Sequence, residues 1–73
     1  RGQWRADVRV LASAAAIEAA PHGVLLALRG AWRLNDEACR EGEGLRWADA
    51  AQAWQAMPEG ADARLLAVRI LPA

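Results

Sequence analysis

Gly23-Val24-Leu25-Leu26-Ala27-Leu28-Arg29-Gly30-Ala31-Trp32-Arg33-Leu34-Asn35-Asp36 reads as two β-strands joined by a tight turn at Arg29-Gly30. Val24, Leu26 and Leu28 alternate with Leu25, Ala27 and Arg29, the two-residue period of a strand. Both sets are largely apolar, which places this strand inside a sandwich or barrel and not in a single wet sheet. Gly30 suits the turn because it adopts positive φ at little steric cost. Beyond it, Trp32 and Leu34 point one way and Arg33 and Asn35 the other. Asn35-Asp36, two residues that tolerate left-handed geometry, supply a second turn.

Outward from this stretch the chain repeats the pattern. Val8 and Val10 alternate with Asp7 and Arg9 in a first strand within Gln3 to Ser13. Glu37 to Arg40 makes a short strand, Glu41-Gly42-Glu43-Gly44 a turn, and Leu45-Arg46-Trp47 another short strand. Pro58 to Asp62 is a strong turn. In the last strand, Ala63 to Leu71, residues Leu66, Val68 and Ile70 face one side and Leu65, Ala67 and Leu71 the other. Pro72 ends it, having no N–H to continue a ladder. Two segments are ambiguous. Ala12 to Ala20 is helical by alanine propensity, but Pro21-His22-Gly23 stops it, so a loop with one helical turn is expected. Leu45 to Met57 reads either as an amphipathic helix or as strand, loop and strand. The fold expected is an all-β, small antiparallel sandwich or barrel. An α+β fold with one alanine-rich helix is the alternative.

The chain has 73 residues, so it is one domain at most, and a domain this small buries only about 60% of the surface its unfolded chain exposes. Nine arginines, no lysine and nine acids cancel to zero formal charge. A neutral chain without a basic cluster is a poor nucleic-acid binder. No apolar run is long enough to span a membrane as a helix. The single cysteine, Cys39, forms no internal disulfide and fits a reducing, cytoplasmic compartment. A start at Arg1-Gly2-Gln3 without methionine suggests a larger parent protein.

The stretch from Gly23 to Asn35 resembles the hydrophobic strand, glycine turn and return strand of a cupin. Glu41 to Trp47 looks like the later cupin turn and strand. Ala63 to Pro72 is similar to the closing strand of the small C-terminal cupin in pirin-like proteins of the bacterial quercetin 2,3-dioxygenase type. The likeness keeps its order over most of the chain and implies a cupin-like sandwich. It further implies a bicupin parent, with the metal held in the N-terminal cupin by histidines and a glutamate and a metal-free C-terminal cupin packed against it. Position by position, the cupin glutamate falls at Gly23. The paired histidines fall near Ile17, Glu18 and Ala19, and the second motif's histidine near Ala53. Glu18 alone could hold a cation, and one carboxylate makes no site.

Other candidates for chemistry are sparse. His22, the only histidine, sits in a loop setting between Pro21 and Gly23. Cys39 as a nucleophile needs a base within reach and a lowered pKa. Glu37, Glu41 and Glu43 surround a glycine turn beside Arg40 and Arg46, the composition of a solvated turn. Trp4, Trp32, Trp47 and Trp54 either fill the core or line a cavity for a flavonoid or sugar ring.

Three functions follow as expectations. The first is a non-catalytic module, without cofactor or metal, that completes a pirin-like bicupin. It would pack on the parent's N-terminal cupin or on another copy of itself, as a homodimer when isolated. Leu25, Ala27, Trp32, Leu65 and Leu71 are its candidate interface. The second is a part of a metal-dependent dioxygenase whose metal site lies in a missing N-terminal cupin. The third is a small-ligand module with a tryptophan-lined cavity.

Overall fold

The computed structural model describes residues 2–73, and every element in it is a strand. The period-two segments extend as expected, giving β3 (His22–Arg29) and β8 (Arg64–Pro72). Around them lie β1 (Trp4–Leu11), β2 (Ala15–Ala20), β4 (Trp32–Leu34), β5 (Glu37–Cys39), β6 (Gly44–Trp47) and β7 (Gln52–Pro58). Two four-stranded antiparallel sheets, in the orders β1-β8-β3-β6 and β2-β7-β4-β5, pack face to face as a sandwich. The all-β expectation holds, and the helical alternatives for Ala12 to Ala20 and Leu45 to Met57 do not.

The winding has a simple rule. β1 pairs with β8, β2 with β7, β3 with β6 and β4 with β5. The chain is therefore one long hairpin whose tip is the Asn35-Asp36 turn. Rolling it up brings β3 beside β8 and β4 beside β7. Asn35 anchors the tip at φ 49°: its N–H donates to the Gln55 carbonyl at 2.9 Å, and its Oδ1 accepts from the Gln55 N–H at 2.8 Å.

Two expectations need correction. Arg29-Gly30 is not a hairpin turn, because β3 and β4 belong to different sheets. Gly30, at φ 69°, instead turns the chain from one sheet to the other. Its N–H donates to Glu41 Oε1 at 2.7 Å, so one member of the acidic cluster holds this corner. The alanine-rich segment is the strand β2 and not a loop with a helical turn. Its pairing with β7, Ala15 opposite Ala56 and Ile17 opposite Trp54, overrides an intrinsic preference that is weak beside tertiary pairing.

Between the sheets Ile17, Leu25, Ala27, Trp32, Leu34, Leu65 and Ala67 form the dry centre, with Leu11, Leu45, Trp47 and Trp54 packed against it. Trp47 also ties the sheets together, its indole N–H donating to the Ala20 carbonyl at 2.8 Å. Gly23 makes room for that ring. A Cβ there would run into Trp47 and come 2.6 Å from the Val68 carbonyl oxygen.

The inward side of β1 is charged. Asp7 lies directly opposite Arg69 and accepts from its guanidinium at 2.9 and 3.1 Å, while Glu18 of β2 lies 3.6 Å from the same group. The hydrogen bond from Arg69 holds the Asp7 carboxyl below its ordinary value of 3.8. A depressed carboxyl stabilises the fold above its unfolded value and loses that contribution as pH falls through the folded one. Melting curves of wild type and Asp7→Asn should thus converge as pH drops below 3.8. A stability gap that stays constant to lower pH would show that Asp7 is not the titrating group.

Candidate functional site

The two outer faces of the sandwich differ in character. On the β2-β7-β4-β5 sheet, Ala16, Gln55, Met57, Arg33 and Ala38 share the outward side, an ordinary wetted surface. On the β1-β8-β3-β6 sheet the register stacks apolar residues in rows. Val8, Val68, Val24 and Arg46 form one row; Val10, Leu66, Leu26 and Gly44 form the next. Ala6, Ile70 and His22 make a third, and Trp4 with Pro72 a fourth. Val8 and Val10 are 59% and 58% exposed, Val24 42% and Trp4 55%. No carboxylate lies in these rows.

This face leaves apolar side chains exposed. Scattered exposed valines are ordinary, but a continuous apolar sheet face marks an interaction site. It is not flat. An open apolar trough of about 360 Å³ runs along β3 and β6, lined by Val24, Leu26, Gly44 and Arg46 among others. The opposite margin, β1, carries the exposed Val8 and Val10. Trp4 and His22 meet edge to face there at 5.1 Å, and the His22 Nδ1 accepts from the Asp49 N–H at 3.3 Å.

The interface expected from sequence lies on the wrong side. Leu25, Ala27, Trp32 and Leu65 are fully buried between the sheets and meet no partner unless the sandwich opens. Leu71 is half-buried on the same inward side as Leu65. With both faces of β3 and β8 apolar, pattern alone does not say which set is core. One signal was available: Ala27, Ala67 and Gly23 are the small residues that let sheets approach closely, and they share a side with Leu25 and Leu65.

The remaining candidates are dispersed. Cys39 is buried on β5, its thiol pushed up in pKa by desolvation and donating to the Glu43 carbonyl at 3.2 Å. It lines a cleft of about 430 Å³ with Leu34, Glu37, Glu43 and Leu45 at one end of the sandwich. His22 lies on the other sheet and does not serve it. Glu43 Oε1 accepts from the Arg40 N–H at 2.9 Å, closing the turn. Among the described residues no group of three or more metal-binding side chains gathers in one place. The tryptophans split between core and surface: Trp32 is enclosed, Trp47 and Trp54 pack at 5.6 Å, and Trp4 is outside.

No protein-family model, curated protein or solved structure matches this chain.

Proposed function

We propose that the chain is a non-catalytic association module, a jelly-roll domain whose outer β1-β8-β3-β6 face is covered by a second sandwich of the same type. The observation that carries this reading is the contrast between the two outer faces, one wetted and one paved with valine, leucine and isoleucine. The paired winding agrees with the resemblance to a cupin. Jelly rolls also serve capsid and lectin domains, so architecture alone would not carry the proposal. Two further observations support it. Gly23, where the resemblance would put a metal-binding glutamate, has no space for a side chain. Cys39 is a protonated, buried thiol without a base. The role is then to complete and stabilise a bicupin-type assembly.

An apolar dye such as 8-anilinonaphthalene-1-sulfonate tests the face directly. The dilute monomer should enhance its fluorescence. The triple substitution Val8→Thr, Val10→Thr and Val24→Thr should abolish most of that signal while keeping the β-type circular dichroism, since threonine fits strands as well as valine does. A folded monomer that leaves the dye dark would remove the reading.

A further inference from the structure

We infer that the covering partner is a second copy of this chain, seated face to face across a two-fold axis parallel to the strands. The inference rests on the association reading above and names its occupant. The rows hold four, four, three and two residues, each covering about 4.8 by 6.7 Å, which gives roughly 420 Å² in projection and more in accessible area. Two such faces together approach the roughly 1,000 Å² that a specific interface requires. Formal charge is zero, so no net repulsion opposes pairing of identical chains.

Charge then chooses the axis. The only charged side chain in the rows is Arg46, at the β6 margin. An axis running across the strands along its row would set Arg46 against its own copy. An axis along the strands, between β8 and β3, moves the two Arg46 side chains about 14 Å apart, beyond the usual screening length. It also lays the β1 margin of each copy over the β6 margin of the other. Val10 then lies over Gly44 beside the trough, Val68 meets Val24, and Val8 meets Arg46. The alternative, edge pairing through β1, is opposed by the inward charges Arg5, Asp7 and Arg9 that commonly guard an edge strand.

Sedimentation velocity over a concentration series tests the arrangement. Wild type should show a reversible dimer in the micromolar range. Val68→Glu and Val24→Arg should each be monomeric, weakened by at least about a hundredfold, because each buries a charge without a partner. Their equimolar mixture should regain the dimer, since the new carboxylate and guanidinium then meet. Val8 is exposed enough to vary without threatening the fold. Val8→Arg should weaken the dimer about tenfold or more, while Val8→Glu should keep it by meeting Arg46. A chain that stays monomeric yet binds the apolar dye would overturn the second-copy inference and leave the association reading standing. A chain that is monomeric and dye-silent would sink both. A dimer indifferent to Val8, Val24 and Val68 would place the contact elsewhere and overturn the inference.

Discussion

Trp32→Ala is expected to remove a large part of the fold's stability at 25 °C. Trp32 is fully enclosed between the sheets and is the largest of the enclosed side chains. Deleting a buried tryptophan side chain removes about 3–5 kcal/mol, from both lost transfer energy and the cavity left behind. A domain of this length has roughly 4–11 kcal/mol in total. A urea titration followed by circular dichroism should therefore show a large drop in midpoint or no folded baseline. Trp32→Phe should be far milder. The indole N–H of Trp32 has no hydrogen-bond partner, so phenylalanine removes an unsatisfied buried donor along with some volume. If the two variants were equally damaging, the enclosed indole would be making a polar contact that the packing does not require.

The second large effect is expected at Gly23. Gly23→Ala should cost about 2–3 kcal/mol, as overpacking of a filled site does, and Gly23→Glu more. The added carbon meets two obstacles. One is the Trp47 ring, a side chain able to swing only by giving up its bond to the Ala20 carbonyl. The other is the Val68 carbonyl, which is backbone in the central strand and has nowhere to move. Adding Trp47→Phe to Gly23→Ala should restore only part of the lost melting temperature, because the backbone obstacle remains. Full restoration would show that the ring alone excludes a side chain. Gly23→Glu is also expected to gain no affinity for iron, nickel or zinc.

How far the sequence carried can be traced element by element. β3 and β8 were legible because leucine and valine recur at every second position with turn residues at the ends. β7 and β6 were legible as one of two alternatives, the ambiguity resolved only by pairing partners on β2, β4 and β3. β2 was not legible, since Ala15, Ala16, Ala19 and Ala20 carry a helical preference and too little side chain to display a period. The corner at Gly30 was placed correctly and misread in kind. A glycine at positive φ serves a hairpin and a sheet crossing equally, and local residues do not say where the next strand docks. The candidate surface, Leu25, Ala27, Trp32 and Leu65, is core because both sides of β3 and β8 are apolar and local pattern does not rank them; β1 shows which side is outer, since its valines face outward and its charges face the neighbouring sheet. An amphipathic strand is ordinarily read the other way round, which itself suggests that the outward side is not left in water.

The rolled hairpin carries a consequence for how the protein is made. β8 is made after the other seven strands, yet it is the strand that both β1 and β3 pair with. A ribosome delivering the chain from its N-terminus therefore releases Val8, Val24 and their neighbours long before the strand that organises them exists. Until that strand emerges, these apolar segments have no template, and their dependence on chaperones should fall once Arg64–Pro72 clears the exit tunnel.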